Sequence, residues 1–316
     1  MRILVVNIDS VIPNLALAKI VKFHQDKGDE VRQIKDKTIS AGLPYPLLID
    51  TYDKIYVSCV FSWNKNRCMK WESIADIGGS GYSLEKTLPP EIDAIKPRMN
   101  MGFITRGCTR NCPWCIVPKK EGKVHQVGDI YDLWDGKSNL ITIMDNNILA
   151  LPKVFFETSK QLKKEKLMVD FNQGLDHRLL TDEICQELFS LKYPGSTGSK
   201  IRFAFDHISY KKSVLKALKM LKRNGLKDWR TRWYVYVGVE DTVETVVERI
   251  NILRDEKQAV FLMRDRDKRV MQNKEFANMY IWTNHIELYA HIPYEKFDVS
   301  MMGNLMRRPD NLLRDM

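Results

Sequence analysis

Met1-Arg-Ile-Leu-Val-Val-Asn7 opens the chain as a short β-branched apolar run, and Leu15, Leu17, Ile20, Val21 and Phe23 follow at helical spacing up to Gly28. A strand, a helix and a second short strand around Val31–Ile34 make a βαβ opening. Ile55–Val60 reads as a third buried strand. Ser73–Ile77 reads as a fourth, running into Gly78-Gly-Ser-Gly-Tyr-Ser83. These segments predict a small doubly wound, Rossmann-like α/β sheet, with a glycine-rich turn at a strand's carboxyl end, where such sheets bind ligands. The polar, proline-marked stretch Leu88-Pro-Pro-Glu-Ile-Asp93 to Lys96-Pro97 is the expected boundary, giving a first domain over 1–95.

Beyond it, six further strand candidates alternate with helical stretches: Met101–Thr105, Leu140–Met144, Leu167–Phe171, Ile201–Phe205, Trp233–Val237 and Ala259–Met263. Six β/α units over 96–270 predict a partial (β/α)6 TIM-type barrel, short of a full one. Such sheets place their chemistry just beyond the carboxyl ends of the strands. There the sequence has Cys108, Cys112 and Cys115 after the first strand, then Asp145, Asn146 and Asn147 after the second. Asn172, Gln173 and Asp176 follow the third, Asp206 and His207 the fourth, Gly238 and Glu240 the fifth, and Arg264 the sixth. The segment 271–316 is aromatic-rich and predicted to be a helical C-terminal extension covering one end or side of the barrel.

At 316 residues and 44% apolar, the chain can bury a sizeable core. Its first seven residues are too short an apolar run for a signal peptide, and no stretch approaches the ~18 apolar residues of a membrane span. A soluble cytoplasmic protein, away from membranes, is expected. The net charge of +10 is carried partly by Lys160–Lys166 and Lys211–Arg223. Such runs favour anionic partners. Solvated helix faces explain them equally well.

Three of the six cysteines lie in Gly107-Cys-Thr-Arg-Asn-Cys-Pro-Trp-Cys115, a C-x3-C-x2-C loop. In a reducing compartment a tight cysteine cluster reads as metal binding before disulfide. Three thiolates can hold a cubane cluster and leave its fourth iron open. Zinc on the three cysteines plus His125 is the other reading, without the paired C-x2-C spacing that zinc sites usually show. Cys59, Cys68 and Cys185 stand apart and read as core side chains.

This loop, with Trp114 just before its last cysteine, resembles the signature of the radical S-adenosylmethionine superfamily. The resemblance implies a [4Fe–4S] cluster on Cys108, Cys112 and Cys115, and S-adenosylmethionine chelated at the open iron. Reductive cleavage by an external one-electron reductant would then give a 5′-deoxyadenosyl radical that abstracts hydrogen from a substrate. It also implies S-adenosylmethionine contacts near Asp145 and Asn146, near Asn172, Asp176 and Arg178, and near Asp206, Gly238 and Glu240. The substrate is left open as a nucleic acid, a peptide or a small metabolite. Helix capping is the plainer role for each of these loop residues.

The N-terminal unit resembles the cobalamin-binding domain found in one branch of that superfamily, through Ile3-Leu-Val-Val-Asn7, Pro13-Asn-Leu15, Tyr52-Asp53 and Gly78-Gly79. It departs by lacking an Asp-x-His-x-x-Gly motif and by leaving no room for a fifth strand. A truncated, degenerate domain kept for packing or substrate binding is therefore expected in place of a cobalamin site. Cys115-Ile-Val-Pro118 is also similar to the cluster loop of the methylthiotransferases, but those enzymes carry three further N-terminal cysteines for a second cluster, and only Cys59 and Cys68 stand in that region here. The competing function is a non-catalytic Fe–S or zinc module that binds nucleic acid through a basic surface.

Overall fold

Four consecutive side chains of β1 (Arg2–Asn7), Ile3, Leu4, Val5 and Val6, are at most 1% exposed. A strand buried on both faces needs cover on both, and the neighbouring sequence supplies it. In the computed structural model of the chain, which describes residues 1–36, 51–195 and 201–302, β1 pairs in parallel with β2 (Glu30–Lys35) and β3 (Lys54–Ser58). The latter pairs with β4 (Asp76–Gly78), giving the order β2-β1-β3-β4.

The helix Leu15–Asp26 starts at Asn14, whose side chain accepts from the Leu17 N–H, and ends before Gly28. It lays Leu17, Ile20 and Val21 over Ile3, Val5 and Tyr56, with Ile92 of the short helix Pro90–Asp93 in the same cluster. The 3-10 helix Ser62–Trp71 covers the opposite face, placing Cys68 and Trp71 on Leu4, Val6, Ile55, Val57 and Ile77. Full burial of each such aliphatic side chain stabilises by about 1.5–3 kcal/mol. The doubly wound N-terminal sheet is therefore present, with its four strands near the expected positions.

Two compact units are distinguished, Met1–Ile141 and Thr142–Met316. In the first, the segment read as one strand from Met101 to Thr105 is split into β5 (Met101–Gly102) and β6 (Thr105–Arg106). β6 pairs antiparallel with β7 (His125–Gln126), a hairpin that two-residue strands make invisible to periodicity. The short helices Val117–Glu121 and Ile130–Leu133 complete this part of the unit.

β8 (Leu140–Ile143) carries the chain across the division. In the second unit, β9 (Met168–Phe171), β10 (Ile201–Ala204), β11 (Thr231–Val237) and β12 (Ala259–Arg264) alternate with helices. The helices are Pro152–Lys164, Asp182–Ser190, Lys211–Arg223 and Val243–Asp255. β10, β11 and β12 form a parallel sheet, and the bridge Leu175 to Phe203 leads toward β9. The protein is thus a mixed α/β structure with several parallel sheets. The single six-stranded barrel sheet expected from the sequence is divided among separate sheets.

The strands of the second unit have two unlike faces. Val169, Phe203, Trp233, Val235, Val237 and Leu262 are fully buried, and the helices contribute Phe155, Leu162, Leu188, Val214, Leu221, Ile250 and Leu253 as equally buried side chains. On alternate positions Asp170, Arg202, Arg232, Tyr234 and Tyr236 are only partly buried. After β12, the helices Lys268–Met271, Lys274–Asn284 and Ile286–His291 form the helical extension. They are anchored to β12 where the Leu262 N–H donates to Asn284, and held to one another where the Trp282 indole N–H donates to the Ile292 carbonyl. The part of the extension from 303 to 316 lies outside the described residues. Among the described residues, no helix is long and apolar enough to cross a membrane.

The basic runs lie on solvent-facing helix surfaces. Lys163 pairs with Glu187, Lys211 with Glu248, Lys222 with Glu256, and Arg223 with Asp182. Neighbouring acids thus offset much of the charge that the sequence concentrates there.

Candidate functional site

The cysteine loop is closed at its base. β6 and β7 pair on either side of it, and the Cys108 N–H donates to the Gly122 carbonyl at 3.1 Å. Glu121 accepts from Arg106 Nη2 at 2.7 Å and from the Gly107 N–H at 3.1 Å. Burial works to raise the Glu121 carboxyl, but the hydrogen bond and charge of Arg106 and the Gly107 N–H outweigh it, so the group sits below its ordinary value. Gly107 has φ +82°, and a Cβ there would lie 2.4 Å from the Lys123 carbonyl oxygen. Only glycine lets the two ends of the loop approach this closely.

Within the loop the Cys115 N–H donates to the Cys112 carbonyl at 3.0 Å, a turn that sets these two residues side by side. The Arg110 N–H points at Cys108 Sγ, 3.3 Å away. Cys108, Cys112, Trp114 and Cys115 are all half-buried, and none of the six cysteines is in a disulfide.

In the same unit, Lys120 donates to Ser80 of the glycine-rich turn. Burial, then the charge of Arg106, lowers the Lys120 ammonium below its ordinary value. The turn itself is packed against backbone: a Cβ on Gly79 would lie 2.2 Å from the Cys59 carbonyl oxygen, and one on Gly81 2.4 Å from the Phe61 carbonyl carbon. The carboxyl ends of β1 and β3 are filled as well. Asp9 accepts from the N–H groups of Val60 and Phe61 and from Asn64 Nδ2, and Asn14 Nδ2 donates to Ser58 Oγ. These glycines serve close packing of chain on chain.

Cys59, Cys68 and Cys185 are 0% exposed, and burial pushes the Cys59 thiol up to about 12 and the Cys185 thiol up to about 11. A thiol reagent is expected to modify Cys108, Cys112 and Cys115 in the native, metal-free protein and the other three cysteines only after unfolding. Mass spectrometry of the labelled peptides checks this; rapid labelling of Cys59 or Cys68 would contradict the burial.

In the second unit, the strand-end residues form a connected polar set. Asp145 and Asn147 are 4% and 2% exposed. Asn147 Nδ2 donates to Asp176 at 3.4 Å, and Asp176 accepts from the Arg178 N–H at 3.2 Å and from its Nε at 2.7 Å, capping the 3-10 helix His177–Leu179. The Arg178 guanidinium stacks over Tyr210, 4.7 Å from the ring centre. Asn172 Nδ2 points at Met144 Sδ. Asn146 is half-buried. The Gly238 N–H donates to Asp241, while Glu240 is exposed on the same turn.

Sequence reasoning passed over two partners in this set, Arg249 and Asp265. Asp241 holds Arg249, whose side chain is 0% exposed, at 2.6 Å, and Arg249 Nη1 also donates to the carbonyls of Phe205 and Tyr236. Tyr236 OH donates to Asp265.

Asp206 accepts from the Tyr236 N–H at 3.2 Å, and burial, against the opposing charges of Arg249 and Arg178, pushes its carboxyl up to about 6 from 3.8. Between these values the unfolded chain has released the proton and the folded chain still holds it. Stability is therefore present below about 3.8 and lost as pH rises through about 6. Asp206→Asn is expected to match the wild type at pH 3.5 and to exceed it by roughly 3 kcal/mol at pH 8, because a tenfold change in proton affinity corresponds to about 1.4 kcal/mol. Urea titrations at the two pH values check this, and a constant difference would show that the carboxyl is not displaced.

No model of a known protein family matches this chain, and no curated protein does. Among solved structures, a D-lactate dehydrogenase from Sporolactobacillus sp aligns with 93% of this chain and 87% of its own, at 12% identity and a TM-score of 0.28. A likeness of that degree carries no argument about fold or activity.

The expected membership of the radical S-adenosylmethionine superfamily is corrected on these findings. Spacing along a chain puts three thiols on one loop but does not make their sulfurs converge. Among the described residues, no three His, Cys, Asp or Glu side chains are gathered to hold a metal ion, His125 included. The loop is also closed as an antiparallel hairpin, where a β/α unit was expected. The cobalamin-type reading of the N-terminal domain is corrected with it, since the glycine-rich turn and the neighbouring strand ends are occupied by the protein's own backbone and side chains.

Proposed function

We propose that this chain is an enzyme whose chemistry is carried by the Cys108–Cys115 loop, with a [4Fe–4S] cluster as its cofactor. The donor set suits the group: three half-buried thiols on one pinned loop, with a backbone N–H aimed at one sulfur. The sulfurs must draw together on loading, since they are not gathered as ligands beforehand. Such a cluster, with one iron open, would supply an electron from an external reductant to S-adenosylmethionine and cleave its sulfonium bond. This assignment rests on the loop and its donors, not on membership in a family.

The protein's own part is to hold and tune the loop. Glu121, Arg106 and Gly107 fix its base, and the Arg110 N–H donates to the Cys108 sulfur. In the second unit, successive β/α units from β8 to β12 would belong to a barrel-like sheet. There Asp145, Asn146, Asn172, Asp176 and Arg178 offer hydrogen bonds to a bound molecule, and Asp206 retains a proton to about pH 6.

The observation that carries this assignment is the closed loop with its three half-buried thiols. Anaerobic reconstitution with iron and sulfide, followed by incubation with S-adenosylmethionine and dithionite, tests it. Formation of 5′-deoxyadenosine above a no-protein control is expected. A reconstituted protein that leaves S-adenosylmethionine intact would favour a binding module.

A further inference from the structure

The parallel register of β10 and β11 sets Arg202 directly opposite Arg232. Both side chains alternate with fully buried neighbours, Phe203 and Trp233, and so lie on the other, polar face of the sheet. Like charges directly opposite one another across a sheet are destabilising.

A single carboxylate answers the pair. Arg202 Nη1 is bonded to Asp170 on β9. The Arg232 side chain makes no ion pair or hydrogen bond among the described residues, and its Nε is buried without a partner. Burial, then the charge of Arg202, lowers the Arg232 guanidinium below its ordinary value. A buried N–H with no acceptor costs about 1–3 kcal/mol, and a structural role offers Arg232 nothing to offset it.

The surroundings are shaped around the pair. Tyr234, two residues along β11, lies near both arginines, whose charges act on its phenol. Its OH donates to the Asn172 carbonyl at 2.8 Å, and Phe261 packs edge-on at 5.9 Å. Gly174, at φ +86°, brings the backbone close enough that a Cβ would lie 3.3 Å from the Tyr234 ring. An immobilised aromatic wall thus stands beside a fork of N–H donors that lacks its acceptor.

We infer that Arg202 and Arg232 form a binding site for an oxyanion, the carboxylate or phosphate group of a small molecule, on the polar face of the second unit. A guanidinium presents donors in a plane that matches either group. Arg202 stands four residues before Asp206, roughly 13 Å along an extended strand. An elongated anionic metabolite anchored at the arginines would place its far end among the polar strand ends. This site does not depend on the cluster.

Thermal unfolding of the full chain, with inorganic phosphate or succinate against sodium chloride at matched ionic strength, tests it. Saturable stabilisation by phosphate, by succinate or by both is expected in the wild type; which anion works tells phosphate from carboxylate. Arg232→Met is expected to unfold no earlier than the wild type in chloride and to bind the effective anion at least about tenfold more weakly. A wild type indifferent to both anions, a variant that responds as the wild type does, or a variant destabilised in chloride would each overturn the inference.

Discussion

Cys112→Ala is expected to abolish retention of iron after anaerobic reconstitution while leaving the fold as it is. Cys112 lies at the exposed end of a loop pinned elsewhere, by the β6–β7 pairing, by Glu121 and by the Cys108 N–H on the Gly122 carbonyl. None of those contacts uses the Cys112 sulfur. Two remaining thiolates cannot hold a cubane cluster that three would hold. Far-UV circular dichroism and the urea midpoint should match the wild type, while iron per chain falls to background. Retained iron would show that the metal sits elsewhere, and loss of the fold would make Cys112 a structural residue.

The largest expected effect on stability comes from Asp241→Ala. Arg249 is fully buried; Asp241 pairs with it at 2.6 Å, while Asp206, the second carboxylate whose charge acts on it, makes no ion pair with it. The remaining Arg249 donors go to carbonyls at the ends of β10 and within β11, so the ion pair ties two strand ends to the helix Val243–Asp255. Removing the paired partner leaves the buried charge without its ion pair, at about 3–5 kcal/mol. The double variant Asp241→Ala, Arg249→Met is expected to recover much of that loss, because it removes the stranded charge as well. A single variant within about 1 kcal/mol of the wild type, at the scale set for exposed pairs, would show that water reaches Arg249.

Much of the fold could be read in advance from periodicity. Ile3–Val6, buried on both faces, could only be a central strand, and the alternation in Ile201–Phe205 and Trp233–Val237 placed β10 and β11. The β6–β7 hairpin could not be read, because two-residue strands have no period and their pairing depends on contacts closed by Gly107 and Glu121. The first predicted barrel strand was lost for the same reason.

The site was legible in part. Asp176 and Asp206 stand at strand ends as expected, but the sequence does not show that Asp206 keeps its proton to about pH 6, which depends on burial by neighbours distant in the chain. Arg249 was missed because an arginine in Val243-Glu-Thr-Val-Val-Glu-Arg249 looks like any surface cation on an amphipathic helix. Arg202 and Arg232 carried a signal that went unused. Parallel strands covered on both faces read as continuous apolar runs, and a charged second residue in both Ile201-Arg-Phe and Thr231-Arg-Trp breaks that pattern. The register that sets them opposite one another is a property of the folded sheet alone. The cysteine spacing carried the family assignment by itself, and spacing does not determine where three sulfurs lie.

The most direct measurement is anaerobic quantitation of iron and sulfide in the reconstituted protein, with electron paramagnetic resonance of the reduced form recorded before and after adding S-adenosylmethionine. About four irons and four sulfides per chain, with a signal that changes on adding the sulfonium, are predicted for a cubane cluster with one open iron. Zinc in place of iron, or a cluster whose signal is indifferent to S-adenosylmethionine, would contradict the proposed chemistry.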